Sequence, residues 1–343
     1  MLDDLKMIHQ RDAQDALGVA EKQWQQLAYD YDIKLPDMGE VRNVVLAGMG
    51  GSAFPGVFLN VWPGLAVPFE IVRNYAVPAY VDEHTLFISS SYSGNTEETL
   101  SALAEAEQKK AQIVVISAGG TLAEQARDKQ YPLYTIPGGI QPRMCSFYFL
   151  AAFVQLLEPL GLVAEGSGKE LKAAGEWLKN QIADWKPEVP TAKNPAKKLA
   201  LELIGKSVVV YGGPKLFPAA NKFKICLNEN AKTVAWVNQY PEFNHNEFIG
   251  WSSHPVDKPY AVVEIRSDLE NERVQKRFTV SERLLSGLRP SPEVITPQGD
   301  TVLKQLLWTA NFADFTSLYV ALLNGLNPTP VDLVERLKKE LDK

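Results

Sequence analysis

Short apolar runs rich in β-branched residues alternate with longer amphipathic stretches from about residue 41 onwards. This alternation is typical of a parallel sheet covered by helices, so the sequence predicts an α/β fold. Strands are predicted in the first half of the chain at 43–49, 69–74, 85–91, 112–118 and 132–137. The second half predicts further strands at 207–213, 233–240, 260–267 and 293–297.

Amphipathic helices are predicted between these strands. The stretch from Thr96 to Lys110 begins with acidic residues and ends with two lysines, which matches the helix dipole at both ends. The stretch from Arg143 to Leu157 is apolar nearly all round, so we expect it to be buried against a sheet or another subunit. Further helices are predicted before residue 40 and at 121–129, 216–230, 270–286, 300–325 and 330–343.

The texture of the chain changes after Gly161, where polar helices are joined by a stretch that contains Pro187, Pro190 and Pro195. A chain of 343 residues is long enough for two domains, each with its own core. We therefore predict one αβα domain with a leading helix at residues 1–160. A second such domain, at 161–343, ends in a helix that packs back. Both halves contain a strand that runs into glycines and then a helix, which suggests a duplication.

Composition excludes some classes of partner. The net charge is −6 and the basic residues are scattered, so we expect no nucleic acid partner. No run of eighteen uninterrupted apolar residues occurs and the first residues are charged, which predicts a cytoplasmic protein without membrane contact. Cys145 and Cys226 lie in apolar patterns and are expected to be buried free thiols. No cluster of cysteine and histidine indicates a metal site.

The segment Ser89–Thr99 leaves a predicted buried strand, turns at Gly94 and begins a helix. Five serine and threonine side chains fall within its first eight residues. A helix N-terminus offers unpaired N–H groups and partial positive charge to a phosphate, and the hydroxyl groups add further donors. The alternative is that Ser93, Asn95 and Thr96 only cap the helix. The loop from Ser91 to Thr96 is therefore the predicted phosphate site.

A glycine cluster, Gly48–Ala53, follows the first predicted strand and formally matches the dinucleotide-binding fingerprint. The second strand, however, ends in Arg73 and Asn74 where a dinucleotide site needs an acidic residue. We therefore predict that Gly51 and Ser52 form a second wall of a sugar-phosphate pocket, and that no cofactor is needed. A tight turn without a ligand and a nicotinamide-dependent oxidoreductase are the alternatives.

Further motifs follow in order along the chain: QPR at 141–143, NEN at 228–230 and EFNHNEFIGW at 242–251. With GMGGSA and SYSGNT, they make the chain resemble the bifunctional phosphoglucose/phosphomannose isomerases, which are built from two sugar-isomerase (SIS) domains. The resemblance implies an enzyme that interconverts glucose 6-phosphate, mannose 6-phosphate and fructose 6-phosphate. It implies a sugar-phosphate substrate and neither metal nor cofactor.

The same resemblance implies roles for individual residues. The phosphate would be held by Ser52, Ser91, Ser93 and Thr96. Glu229 would be the base that moves a proton between C1 and C2, and Arg143 would stabilise the enediolate. His245 would open the sugar ring, and since relatives receive this histidine from a neighbouring subunit, a homodimer is implied. Near the C-terminus, Thr329 and Lys338 would lie beside the substrate. Arg336 and Lys339 compete with Lys338 for that position.

The chemistry agrees with these residue types, because a shielded carboxylate accepts a carbon-bound proton and a nearby cation stabilises the enediolate. Alternatives remain open at two positions. Glu247 is a second candidate carboxylate, or it orients His245. The other candidate histidines are His9, His84 and His254. At the level of function, an isomerase of amino-sugar phosphates and a non-catalytic phosphosugar-binding regulator are the competing interpretations.

Overall fold

The computed structural model describes residues 1–253 and 259–341. The chain forms two compact units, one comprising Lys22–Trp177 and the other comprising Met1–Glu21 together with Leu178–Lys343. Each unit contains one parallel sheet. The predicted α/β class is therefore confirmed.

The elements up to the end of the first unit follow one another in chain order. The leading segment forms α1 (Leu5–Arg11), α2 (Ala16–Lys22) and the 3-10 helix Gln23–Ala28. The strands are β1 (Asn43–Gly48), β2 (Phe69–Val72), β3 (Thr85–Ser91), β4 (Gln112–Ser117) and β5 (Leu133–Thr135). The helices are α3 (Gly50–Ala53), α4 (Gly56–Leu59), α5 (Glu97–Gln108), α6 (Gly120–Asp128), the 3-10 helix Pro142–Met144, α7 (Ser146–Leu157) and α8 (Ser167–Ile182).

The five strands of the first sheet are parallel in the order β2-β1-β3-β4-β5. Both faces of the central strands are covered, which explains why they are continuous apolar runs. One face packs Val45, Phe87 and Val115 against Leu103 of α5 and Leu122 of α6. Helix α7 is buried along nearly its whole length and packs on α3, α4 and the 3-10 helix Gln23–Ala28, as its all-round apolar pattern predicts.

The second unit has the strands β6 (Ser207–Gly212), β7 (Ala235–Gln239), β8 (Tyr260–Ile265) and β9 (Glu293–Ile295). Their parallel order, β7-β6-β8-β9, repeats the order β2-β1-β3-β4 of the first sheet. The helices are 3-10 Ala183–Trp185, α9 (Pro195–Leu203), α10 (Phe217–Glu229), 3-10 Glu242–His245, α11 (Glu247–Gly250), α12 (Glu272–Leu284), α13 (Val302–Leu323) and α14 (Asp332–Leu341). The repeated strand order makes the loops after β1 and β3 topologically equivalent to those after β6 and β8.

Helix α13 is the central helix of this unit and packs against α9 and α10. It is long and apolar enough to cross a membrane by length and composition, but 94% of its most apolar window is buried. The burial accounts for its apolar composition without a membrane.

Helix α14 corrects one expectation, because it does not pack back onto its domain. None of its described residues is buried. Its apolar side chains form one exposed stripe on the helix, consisting of Leu333, Val334, Leu337 and Leu341. Leu333 is 79% exposed and Leu337 is 59% exposed.

Candidate active site

One group of candidate residues lies at the carboxyl edge of the first sheet. In the strand register, Gly48 of β1 is opposite Ser90 of β3, and Ser91 of β3 is opposite Ser117 of β4. The loops that follow these strands therefore leave the sheet side by side. In open α/β sheets this edge is where ligands bind.

The loop after β3 brings together two of its predicted phosphate ligands. Ser91 is buried, its Oγ accepts a hydrogen bond from the Gly94 amide at 3.1 Å, and it lies 2.8 Å from Thr96 Oγ1. Thr96 is the N-cap residue of α5, yet its side chain makes no capping hydrogen bond within the residues that the structure describes. The capping alternative is therefore wrong for Thr96. Ser93 is exposed and accepts from the Asn95 amide at 3.3 Å.

Ser52 joins this loop to the turn after β1. Its Oγ accepts a hydrogen bond from the Tyr92 amide at 2.8 Å, and its carbonyl accepts one from Ser90 Oγ at 2.9 Å. Tyr92 in turn reaches the segment before Arg143, because its hydroxyl accepts from the Ile140 amide at 3.4 Å. Burial raises the pKa of Tyr92 to about 12. The predicted walls of the pocket are thus connected by direct hydrogen bonds.

Arg143 lies in the short 3-10 helix Pro142–Met144, and it is buried. Its Nη1 donates to Gln141 Oε1 at 3.3 Å. Gly51 packs against the backbone of this helix: a Cβ at position 51 would be 2.8 Å from the Pro142 carbonyl and 2.9 Å from the Arg143 amide. The first unit therefore places Gly51, Ser52, Ser91, Thr96 and Arg143 in one connected cluster.

The loop after β4 packs against the loop after β3, a contact that was not predicted from the sequence. Gly94 and Gly120 both have positive φ, and a Cβ on Gly94 would be 1.8 Å from the Gly119 carbonyl. Ser117 Oγ donates to the Ser91 carbonyl at 2.6 Å. Only the glycines in SAGG at 117–120 were a signal for this close packing.

A second group of candidate residues lies at the end of α10. Glu229 is the last residue of this helix and is half-buried. The asparagines on either side of it are anchored, because Asn228 Nδ2 donates to the Thr233 carbonyl at 2.9 Å and Asn230 Nδ2 donates to Ser317 Oγ at 2.9 Å. The NEN motif therefore fixes the backbone that carries Glu229.

A buried ion pair holds α10 on α13. Lys222 Nζ lies 3.0 Å from Asp314 Oδ1, and both side chains are almost completely buried. Burial would lower the pKa of Lys222, but Asp314 and Cys226 together raise that pKa above its ordinary value. Cys226 Sγ also lies 3.0 Å from Asp314 Oδ1, and burial raises the pKa of this thiol. Cys226 and Cys145 are buried free cysteines, as predicted.

Thr329 is brought close to the NEN motif by a lysine that sequence reasoning missed. Lys232 Nζ donates to the Pro328 carbonyl at 2.8 Å and to the Asn230 carbonyl at 3.2 Å. The Thr329 amide donates to Asn327 Oδ1 at 3.0 Å. This one ammonium group ties the loop before α14 to the residue that follows Glu229.

His245 ends the 3-10 helix Glu242–His245 and is exposed. Glu247 does not orient its ring through a hydrogen bond: its two carboxylate oxygens accept bonds from Tyr211 Oη and, at 2.7 Å, from Asn238 Nδ2. Glu247 instead attaches the residues after His245 to strands β6 and β7.

The remaining candidates lie elsewhere. Lys338 is 59% exposed and pairs with Glu335 of its own helix at 2.9 Å. His9 is exposed on α1, and His84 is half-buried with Nδ1 3.9 Å from Glu40. His254 lies outside the described residues.

The turn after β6 is topologically equivalent to the turn after β1, which carries Gly51 and Ser52. In the second sheet, however, the carboxylate of Glu270 occupies this turn. Glu270 Oε1 accepts a hydrogen bond from the Lys215 amide at 2.7 Å and lies 2.4 Å from where a Cβ of Gly213 would be. Burial raises the pKa of Glu270, while the bonds from the Lys215 and Leu216 amides lower it. A side chain of the chain itself therefore fills the turn after β6.

The fold and these two groups of residues indicate a protein of the sugar-isomerase class. A glucose-6-phosphate isomerase like protein from Thermus thermophilus has a similar structure, with a TM-score of 0.67 over 98% of each chain and 18% identity. At this identity the likeness concerns the fold alone. Residues 192–341 match the family model described as the bacterial phospho-glucose isomerase C-terminal SIS domain.

Curated relatives identify the family. The chain is 35% identical over 306 residues to a bifunctional phosphoglucose/phosphomannose isomerase of Caldicellulosiruptor bescii, which covers 88% of this chain and 90% of the relative. The enzyme of that name from Thermoplasma volcanium is 34% identical over 322 residues, or 92% and 96% of the two chains. The chain belongs to the bifunctional phosphoglucose/phosphomannose isomerase family. A D-glucosamine-6-phosphate 4-epimerase of Sulfolobus acidocaldarius is also similar, at 28% identity over 306 residues, covering 89% of this chain and 91% of the relative.

Proposed function

We propose that the protein interconverts glucose 6-phosphate, mannose 6-phosphate and fructose 6-phosphate through a cis-enediolate. The observation that carries this proposal is the loop after β3, where the Ser91 and Thr96 hydroxyl groups lie 2.8 Å apart at the start of α5. Hydroxyl groups and helix N–H groups at one point suit a phosphate. The names of the curated relatives with 31–35% identity support the choice of sugars.

The proton transfer needs a base, and Glu229 is the proposed one. It removes the proton from C2 of the open-chain aldose and returns it to C1, which yields the ketose. Glucose and mannose 6-phosphates differ only at C2, which is planar in the enediolate, so one intermediate serves both. The Arg143 guanidinium is the proposed partner for the negative charge that develops on the enediolate oxygen.

Ring opening is assigned to His245, donated across a homodimer. Its ring is exposed within a single chain, and the neighbouring Ile249 is 72% exposed. Mixing subunits tests the sharing. His245→Ala and Glu229→Gln chains, each with only residual activity alone, are unfolded together and refolded. Shared sites predict that hybrid dimers regain part of the activity, whereas activity that stays at the residual level of the two variants contradicts sharing.

The activity itself is tested with fructose 6-phosphate and EDTA-treated protein, with glucose 6-phosphate and mannose 6-phosphate measured separately. Both aldoses should form. Glu229→Gln should lower both rates by roughly 10²- to 10⁴-fold, the usual contribution of a general base. Glu202→Gln is the matched control, because Glu202 is exposed on α9 of the same unit. Formation of only one aldose would narrow the function to that sugar.

The second candidate is epimerisation of glucosamine 6-phosphate at C4, which rests on the Sulfolobus relative. The two functions separate in one assay, since glucosamine 6-phosphate and fructose 6-phosphate can be supplied in parallel and the products resolved by NMR. Turnover of the amino sugar alone would replace the first proposal. If neither sugar is converted while phosphosugar binding persists, a non-catalytic regulator becomes the better description.

A further inference from the structure

The backbone that carries His245 is attached to the second sheet by a polar network. Tyr211 of β6 and Asn238 of β7 are opposite each other in the strand register. Tyr211 Oη donates to one carboxylate oxygen of Glu247, and Asn238 Nδ2 donates to the other at 2.7 Å. Glu247 comes two residues after His245. The carboxylate therefore links the segment 242–251, which carries His245, to two neighbouring strands.

The Tyr211 hydroxyl group also binds the C-terminal end of the segment 242–251. Trp251 Nε1 donates to Tyr211 Oη at 3.1 Å, so this oxygen accepts from Trp251 and donates to Glu247. Tyr211 is fully buried, and its ring centroid lies 4.6 Å from that of Phe243. Tyr211 thus contacts this segment at three points: Phe243 before His245, Glu247 after it, and Trp251 at the end of the segment.

His245 itself shows the complementary feature, an exposed ring on a fixed backbone. Asn246 Nδ2 donates to Glu242 Oε1 at 2.7 Å, and Asn246 Oδ1 accepts from the Glu247 amide at 2.6 Å. These bonds connect the 3-10 helix Glu242–His245 to α11. Two helices of four residues each have too few internal hydrogen bonds to be stable alone, so their conformation depends on such attachments.

We infer that Tyr211 is a positioning residue for His245. Its buried hydroxyl holds Glu247 and Trp251, and thereby fixes the backbone from which His245 extends. The inference rests on the proposed role of His245 in ring opening. A general acid or base must lie within hydrogen-bond reach of its target, and a misplacement of 1 Å can lower the rate by roughly 100-fold.

Tyr211→Phe tests the inference, because it removes the hydroxyl and keeps the ring. We expect kcat for glucose 6-phosphate to fall by roughly 10- to 100-fold while KM changes much less. In a His245→Ala background the same substitution should cause no further loss, since Tyr211 acts only through His245. Tyr240→Phe is the control: this tyrosine belongs to the same aromatic cluster, but its hydroxyl lies 3.3 Å from Glu264 Oε1. It should retain activity.

Asn238→Ala provides a second variant in case Tyr211→Phe does not fold, because Asn238 is only half-buried. It should lower kcat in wild-type protein and not in the His245→Ala background. A loss that is the same in both backgrounds, or no loss in either variant, would overturn the inference. Wild-type activity of His245→Ala would instead refute the ring-opening role in the proposed function, so the two failures are distinguishable.

Discussion

Gly51 lies directly against the peptide bond between Pro142 and Arg143, with room for a hydrogen atom and not for a methyl group. A Cβ at position 51 would be 2.8 Å from the Pro142 carbonyl carbon and oxygen, and 2.9 Å from the Arg143 amide. These are backbone atoms, which move only with the whole 3-10 helix. The glycine turn after β1 thus sets how closely Arg143 approaches the phosphate-side loops.

Gly51→Ala should therefore displace Arg143 and lower kcat more than it raises KM, since Arg143 is proposed to act on the enediolate and not on the phosphate. Steady-state kinetics with fructose 6-phosphate measures both constants. Gly138→Ala is the control, because no described atom outside its two chain neighbours lies within 4 Å of a Cβ at that position. An unchanged kcat in Gly51→Ala would show that the contact has no catalytic consequence.

Ser91→Ala should weaken phosphate binding. It removes the hydroxyl that lies 2.8 Å from Thr96 Oγ1 and accepts from the Gly94 amide. A hydrogen bond to a charged group contributes about 1.5–3 kcal/mol, so KM should rise by roughly 10-fold or more. Ser101→Ala, an exposed change on the same helix, should leave KM unchanged.

Calorimetric titration of Ser91→Ala with a sugar phosphate also tests the asymmetry between the two sheets. Because Glu270 occupies the turn after β6, the wild-type protein should bind one sugar phosphate per chain. The variant should bind that one equivalent roughly 10-fold more weakly. A second equivalent that survives in Ser91→Ala would mean that the second sheet holds a phosphate too.

Asp314→Asn should destabilise the unit that contains α10 and α13. The substitution leaves the Lys222 ammonium buried without its counter-charge, and breaking a buried ion pair in this way costs about 3–5 kcal/mol. Urea unfolding measures the free energy of unfolding. The exposed pair Asp300–Lys304 is the control, and Asp300→Asn should not move the midpoint. Equal effects of the two substitutions would contradict this account of the ion pair.

Lys338→Ala should lower activity, whereas Lys339→Ala should not. On α14 the side chain of Lys338 borders the exposed apolar stripe, because it is four residues after Val334 and three before Leu341. Lys339 is on the opposite side. If the stripe is covered in the assembled enzyme, Lys338 is the lysine nearest the covered surface. Loss of activity in Lys339→Ala or Arg336→Ala alone would reassign the position.

Much of the fold was accessible from the sequence because parallel strands covered on both faces are short β-branched runs. Each strand from β1 to β9 falls within its predicted range. No pattern in the sequence indicated which unit the N-terminal segment joins. Met1–Glu21 belongs to the second unit through contacts such as the hydrogen bond from Asn311 Nδ2 to the Ala20 carbonyl at 3.0 Å. An interaction between residues so distant in the chain leaves no periodicity.

The candidate site divides in the same way. Motifs with a local meaning, such as a serine-rich loop at a helix start, identified Ser91 and Thr96. Lys232 and Tyr211 were missed. Lys232 donates to three carbonyl groups and Tyr211 binds Glu247, but nothing in the sequence distinguishes them from other lysines and tyrosines. Helix α14 has a strong amphipathic pattern, but the described part of the chain does not bury it, so the prediction that it packs back was wrong.

The most direct test of the central claim follows solvent deuterium during the reaction. In D₂O, fructose 6-phosphate is incubated with EDTA-treated protein, and NMR measures deuterium at C1 of the ketose and C2 of both aldoses. Transfer through an enediolate by Glu229 predicts that deuterium enters these positions over many turnovers, and that Glu229→Gln loses exchange and conversion together. Exchange at the wild-type rate in Glu229→Gln, or sugars that interconvert without taking up any deuterium, would contradict the account.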